Sequence, residues 1–467
     1  MNANLILENL HLKFANKTWN ETFNLVRTCT EKPMEWSKPL CSALERLQEV
    51  LNASSTDLIR HHLQRMARQQ GMDFHISEAT CCLTADLFRL EVALLPCGGV
   101  ENVKLTPHAG FPIHCESLLQ LLRAENFSEF SAKLTDLLSQ YNIPGDKETK
   151  LRLFESLQLL AQDLQCMSSL PRVQLDSEAQ IQLINDGLMG CLKAANADHP
   201  LTIQFYSVPA PGSNASDLFV QGAQVTIGAS DAMHKLQLAS ALIEPAVTED
   251  QRTPVFLPLS EVPHQSLPGC FLLRLQPPMP LILSFITKIS SITGVLPDVD
   301  LQGEPLPKVL TSGYAKSHKE DEKDAVFSEG FILPGAAWDV PARRAAVVDH
   351  IPFTHPSHVP ALLEILRHQS AINALLRSCV AKAAAEYPVS DLYELLPESE
   401  TSFSVTFQRR DADSLAVLLV NITDSRQISC KLFGAGTQDP SLVEMLSSVL
   451  TRSMSVPLTL MALHSQR

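Results

Sequence analysis

The chain has 467 residues, 45% of them hydrophobic, 19% charged and 6% aromatic, with a formal net charge of -14. At about 100–200 residues per domain, this length implies two to four folded units, and the apolar content excludes a largely disordered chain. The acidic balance repels a phosphate backbone and the sparse aromatics offer no platform for stacking bases, which argues against direct nucleic-acid binding.

Eleven cysteines, single except for Cys81-Cys82 and without a Cys-x-x-Cys pair, read as reduced thiols of a cytosolic or nuclear protein. Met1–Phe14 lacks a basic start and a continuous apolar stretch, so no export is expected. Runs such as Leu415–Val420 fall short of the roughly 20 apolar residues that span a bilayer, so no membrane association is expected. The Asn-x-Ser/Thr sequons beginning at Asn16, Asn20, Asn52, Asn126, Asn214 and Asn421 are then chance matches.

In chain order, Thr18 with Glu21 forms a capping box ahead of Trp19, Phe23 and Val26. A second helix follows Ser37, with Leu40, Leu44, Leu47 and Leu51 on one stripe, and a third runs from Thr56 or Asp57 to Gly71. Residues 1–72 are therefore expected as a helical N-terminal domain. At Phe88 the period drops to two. Phe88, Leu90, Val92 and Leu94 share one face of a strand, and a turn at Cys97-Gly98-Gly99 returns through Val103 and Leu105 as a hairpin. Two amphipathic helices follow, over Phe127–Tyr141 and Leu153–Met167, separated by Ile143-Pro144-Gly145-Asp146. Residues 80–170 thus form a hairpin with amphipathic helices.

Residues 200–297 read as a proline-rich strand and helix module. Val225 and Ile227, Leu236 and Leu238, then Phe271, Leu273 and Leu275 alternate, while Pro254, Pro258, Pro263 and Pro268 keep the stretch between irregular. After Pro277, Pro278 and Pro280 a helix carries Ile282, Phe285, Ile286 and Ile289 to Gly294. Residues 298–325, with the charged run Lys316–Asp324, are expected as a linker or exposed loop. Residues 326–467 form a C-terminal α+β module. Its strand Val347–Phe353 leads through a proline corner to a helix from Ala361 to about Ala385, and strands around Phe403–Phe407, Leu415–Ile422 and Ile428–Leu432 make a meander. A helix opens at Asp439-Pro440, and Val456–Leu463 returns as an edge strand. The fold class is α+β, a helical domain followed by two or three small strand–helix modules with mostly antiparallel sheets. Strand, proline corner and helix recur near 103–123, 271–293 and 347–377, which hints at related modules.

No phosphate loop, nucleophile elbow or zinc-protease helix is present, and Gly434-Ala435-Gly436 lacks the third glycine of a dinucleotide site. His350, His355, His358 and His368 are the nearest thing to a metal constellation, but the interleaved prolines hold the segment extended, so ordinary loop histidines are expected. Asp298/Asp300 and Asp411/Asp413 read as solvated turn carboxylates. No catalytic residue, metal ligand or cofactor site is assigned, and no enzyme activity is expected. Leu-x-x-Leu-Leu, which as a short helix docks into apolar grooves, occurs at Leu118/Leu121/Leu122, Leu134/Leu137/Leu138, Leu392/Leu395/Leu396 and Leu415/Leu418/Leu419. In a leucine-rich chain such copies are mostly core, and the last is strand-like. Only Leu392, Leu395 and Leu396, against Pro397, are carried as a candidate partner-binding element.

Several ordered segments also carry a resemblance: Asn126–Ser131 with Tyr141–Asp146, His355–Pro360 leading to Ile365–Gln369, and Phe403–Gln408 through Ile428–Leu432. To these Leu10–Phe14, Trp19–Thr22 and Leu25–Arg27 add a similar start. Together they resemble the folded N-terminal region of the Mediator complex subunit 1 family. The resemblance implies a nuclear, non-enzymatic subunit of the Mediator middle module, a scaffold or adaptor that links transcriptional activators to RNA polymerase II. Its implied partners are the other middle-module subunits. In the family the receptor-docking Leu-x-x-Leu-Leu boxes lie in a long disordered tail, and this sequence stops at Arg467, so it reads as a short, tailless paralogue or form. A free coactivator that binds nuclear receptors through a Leu-x-x-Leu-Leu helix is the alternative.

Overall fold

The helix expected to close at Gly71 runs over Ser55–Gln69 (α1). Gly71 takes the left-handed conformation at φ +69°, which lets Met72 N–H turn back onto the carbonyl of Ala67 at 2.8 Å. The computed structural model describes residues 55–95, 99–108, 110–143, 145–168, 177–196, 199–209, 218–243, 254–258, 260–315, 330–380, 392–408, 414–434 and 439–465. The helices expected around Trp19 and Leu44 lie outside these residues, as do most of the Cys97–Gly99 turn and the run Lys316–Asp324. The chain divides into two compact units, Met1–Ser139 and Gln140–Arg467.

In the first unit, α1 is followed by β1 (Asp73–Ser77), β2 (Thr80–Thr84), β3 (Phe88–Leu94), β4 (Val100–Pro107) and β5 (Ile113–His114), which form one antiparallel sheet in chain order. The expected hairpin is therefore the centre of a five-stranded meander. Its first two strands escape a period-two reading because β1 is mostly exposed and β2 buries Cys81, Cys82 and Leu83 consecutively. Helices α2 (Glu116–Arg123) and α3 (Phe127–Gln140) complete the unit. Asn126 and Glu129 cap α3 reciprocally: Asn126 Oδ1 accepts from Glu129 N–H at 3.2 Å, and Asn126 Nδ2 donates to Glu129 Oε2 at 2.8 Å.

The second unit opens with α4 (Lys147–Ser168) and α5 (Ser177–Asp186), then β6 (Cys191–Lys193), β7 (Thr202–Pro209), β8 (Leu218–Gln237), β9 (Leu242–Ile243), β10 (Val255–Phe256) and β11 (His264–Ile282). Helix α6 (Leu283–Thr293) follows, closed by Gly294 at φ +70°. Then come β12 (Glu304–Pro305) and α7 (Leu306–Ala315), which buries Leu306, Val309 and Leu310, so part of segment 298–325 is built into the core. Next are β13 (Phe331–Ile332), α8 (Gly335–Trp338), β14 (Arg344–Phe353) and α9 (His358–Val380). The chain continues through β15 (Tyr393–Ser399), β16 (Ser402–Gln408), β17 (Leu415–Ile422), β18 (Ile428–Phe433) and α10 (Pro440–Ser453). The last element, Val456–Ser465, is a helix (α11) and not the expected edge strand. Pro457 sits in its first turn, where a missing N–H is tolerated, and Ser455 Oγ accepts from Leu458 N–H at 3.4 Å.

Two principal sheets organise this unit. The first is antiparallel in the order β12-β14-β11-β8-β7-β6. The second runs β13-β15-β16-β17-β18, antiparallel except for β13 beside β15. The strand–helix pairs β11–α6 and β14–α9 share the first sheet, whereas β4 and α2 belong to the other unit, so the recurring pattern does not mark three equivalent modules.

Strand β11 also overturns the expectation that prolines break this region. It passes through Pro268, where its register on β8 shifts, and through Pro277, Pro278 and Pro280, where its pairing to β14 shifts between Arg274 and Met279. Helix α9 supplies what the weakened ladder lacks. Gln369 Oε1 accepts from Ile282 N–H at 3.0 Å and Asn373 Nδ2 donates to the Pro280 carbonyl at 2.9 Å, the two amides being joined at 3.0 Å.

Candidate functional site

The histidines do not converge. His350, half-buried on β14, pairs with the neighbouring Asp349. His355 and His358 lie in the corner before and at the start of α9, ring centroids 5.9 Å apart. Ser357 N–H donates to His355 Nδ1 at 3.2 Å and the Ser357 hydroxyl contacts it at 2.6 Å. His368, about three turns along α9, donates from Nε2 to the Ile422 carbonyl at 2.8 Å and lies against the Phe285 ring. Burial pulls the pKa of His355 and His368 below the ordinary histidine value, and burial with the adjacent His355 takes His358 down to about 4. These are neutral packing groups at pH 7. Among the described residues no three His, Cys, Asp or Glu side chains are placed to hold a metal ion.

The carboxylates separate in the same way. Asp300 Oδ1 accepts from Gln302 N–H at 2.9 Å, a local turn contact, and Asp411/Asp413 lie outside the described residues. None of the eight described cysteines is in a disulfide, and Cys81, Cys82, Cys115, Cys270, Cys379 and Cys430 are buried.

Sequence reading missed the two most heavily bonded buried charges. Arg367 on α9 is fully buried; its Nε donates to the Phe205 carbonyl at 2.9 Å, Nη2 to the carbonyls of Ile184 and Gly187, and Nη1 to Glu364 at 2.9 Å. It ties α9 to β7 and to the end of α5. Asp163 on α4 is also buried and accepts from Gln237 Nε2 at 2.9 Å, Ala241 N–H at 3.0 Å and the Ser240 hydroxyl. Every partner is backbone or side chain of the same unit, so both charges join elements together.

The Leu-x-x-Leu-Leu copies fall into two kinds. Leu118 and Leu122 on α2, and Leu134 and Leu137 on α3, are buried in the first unit. The other two copies lie on or beside strands. Leu395 faces inward in the row Leu395-Val405-Leu418-Leu432, whose members are all buried, while Leu396 and Leu419 lie in the outward row. Leu392 and Leu415 precede them on the outward side, 66% and 64% exposed. On a strand the spacing puts the first and last leucines on one face and the middle one on the other. Leu392, Leu395 and Leu396 thus do not form a docking helix.

Among the described residues, the buried charges Arg367 and Asp163 bind only groups of their own unit. The family described as Mediator of RNA polymerase II transcription subunit 1 matches residues 42–381. The chain belongs to this family. A relative of that name from Xenopus laevis is 31% identical over 98% of this chain and 32% of its own length. Those from Xenopus tropicalis and Drosophila melanogaster are 30% and 24% identical over 98% and 97% of the chain, covering 31% and 33% of the relatives. The chain spans about one third of the length of these curated subunit 1 relatives. The similarity reaches past the family match at residue 381, into the sequence that here forms β15 to β18, α10 and α11.

Proposed function

We propose that this chain is a non-enzymatic nuclear subunit of the Mediator complex, seated in its middle module as a scaffold and adaptor between transcriptional activators and RNA polymerase II. The observation that carries this reading is the similarity to proteins named Mediator subunit 1 over 98% of the chain. An acidic surface and extended apolar strand faces suit binding by complementarity to neighbouring proteins. Its partners are the other middle-module subunits, without direct nucleic-acid contact, membrane or cofactor. The alternative, receptor docking through Leu392, Leu395 and Leu396, gains nothing from a placement that seals Leu395 in the core.

The test is affinity purification of the tagged chain from nuclear extract at moderate salt, with quantitative mass spectrometry. Middle-module subunits recovered in near-equal amounts are the expected result. Recovery of the chain alone, or with receptors only, overturns it.

A further inference from the structure

The β13-β15-β16-β17-β18 sheet is covered on its inner face, along β18 and beside part of β15. Its inner face packs Leu395, Phe403, Val405, Leu418, Val420 and Leu432 into the core. Its β18 edge is covered by α10, where Ser447 Oγ accepts from Cys430 N–H at 3.1 Å and Thr451 Oγ1 donates to the Ile428 carbonyl at 3.3 Å. Beside β15, Trp338 Nε1 donates to the Leu395 carbonyl at 3.2 Å, and Arg343 donates to the carbonyls of Glu400 and Ser402 at 3.2 and 2.6 Å. The β18 edge, bonded in this way, does not accept a further strand.

The outer face is different. Register places Ile332, Glu394, Thr406, Val417 and Phe433 in one outward row, and Leu396, Ser404, Leu419 and Lys431 in the next, where Ser404 is buried and Leu396 and Leu419 are half-buried. Ile332 is 47% and Phe433 44% exposed, and Leu392 and Leu415 extend the apolar area. An exposed apolar patch on an outward sheet face is the mark of an association surface, and with β18 covered by α10 the occupant packs on the face. Five strands at about 4.8 Å spacing give a width of roughly 19 Å, which takes one helix of about 10 Å diameter with room at the rim. The charge on the face identifies the occupant further. Glu394 sits in the apolar row with no ion pair among the described residues, Glu398 accepts from Ser404 at 2.6 Å on the same side, and Lys431 lies three strands away.

We propose that this outer face receives an amphipathic helix of a partner protein, with apolar side chains along one stripe and lysine or arginine set against Glu394 and Glu398. A second copy of this chain is disfavoured, because facing two such surfaces brings like carboxylates together in a chain of net charge -14. This deepens the subunit reading and is separable from it.

The experiment replaces Leu415 with the photo-crosslinking residue benzoylphenylalanine in the full chain, irradiates intact nuclei and sequences the attached peptide. The expected product is a peptide of another protein with apolar residues at helical spacing and a lysine or arginine on the flank. Glu394→Lys lowers its yield at least tenfold and Glu394→Gln by an intermediate factor, with the thermal unfolding of both variants unchanged. Attachment to a second copy, to this chain itself or to a peptide without basic residues overturns the proposal, as does no attachment or a yield indifferent to Glu394. If a basic amphipathic helix is captured while middle-module subunits fail to co-purify, the subunit reading falls and the surface stands.

Discussion

Helix α9 buries Arg367, Gln369, Ser370 and Asn373, whereas the outer face of the β13–β18 sheet leaves Leu392, Leu415 and Phe433 in water. Each region reverses the usual partition of polar and apolar groups, and for different reasons. The polar groups of α9 stay inside because specific carbonyls and amides need them: Phe205, Ile184 and Gly187 for Arg367, Ile282 for Gln369, and Pro280 for Asn373. Leu415 stays outside because the alternation of β17 puts it on the face opposite the buried Leu418. A buried polar group with its partners present is a structural joint, and an exposed apolar row without a cover is a surface for association.

This contrast breaks most visibly at Arg367. Arg367→Met fills the volume but removes the donor from the buried carbonyls of Phe205 and Ile184, and we expect a loss of about 3–5 kcal/mol in urea unfolding. Arg367→Lys does not restore it, because one ammonium cannot reproduce the planar fork that serves residues on two elements at once. An unchanged midpoint in either variant refutes the joint. Leu418→Ala, on the inner face of β17, is the apolar counterpart and costs about 2–5 kcal/mol by leaving a cavity.

The amide pair on α9 acts at a smaller scale. Gln369→Leu deprives Ile282 N–H of its acceptor at the end of the proline-interrupted strand, and a loss of about 1–3 kcal/mol is expected. Amide exchange at Ile282 should rise with it. Exchange that remains slow shows that another group satisfies this N–H.

The histidines at the two ends of this region set its acid sensitivity. His355, His358 and His368 hold pKa values below the unfolded value near 6.5, so the native state binds fewer protons than the unfolded one in mildly acidic solution. Their stabilising effect is complete above pH 6.5 and declines as the pH falls, for His358 down to about 4. Between pH 7.5 and 5.5 this amounts to about 1 kcal/mol for His358. His358→Gln should flatten the dependence, and an equally steep profile in that variant removes His358 as a cause.

Much of this architecture is legible in the sequence because the signals are local. Phe127–Gln140, Leu283–Thr293 and Pro440–Ser453 announce themselves by apolar spacing and by Asn126, Gly294 and Asp439 at their ends. Strands β16 and β18 follow from alternation and β17 from its apolar run. What escaped depends on distant partners. Strand β11 passes its prolines because α9 bonds its backbone from about ninety positions away, and no local pattern carries that information. Val456–Leu463 is apolar enough for strand or helix, and its packing beside α10 and α9 makes it helical. Arg367 looks like any helix arginine until Phe205 and Ile184 are brought beside it. The candidate trio Leu392, Leu395 and Leu396 was legible as leucines but not as the two faces of a strand, since one spacing serves a helix stripe and both faces of a strand.

The smallest effect gives the sharpest reading of the sheet. Leu415→Ser removes an apolar side chain from β17 three residues from Leu418, yet its side chain is 64% exposed and few of its methyl groups leave water on folding. Stability should therefore change by less than about 0.5 kcal/mol in isolated protein. If it falls by as much as in Leu418→Ala, the outer face is already covered by the chain itself and the contrast with α9 disappears. If the isolated protein is unaffected while the same substitution loosens its hold on a partner, the leucine is kept for the partner and not for the fold.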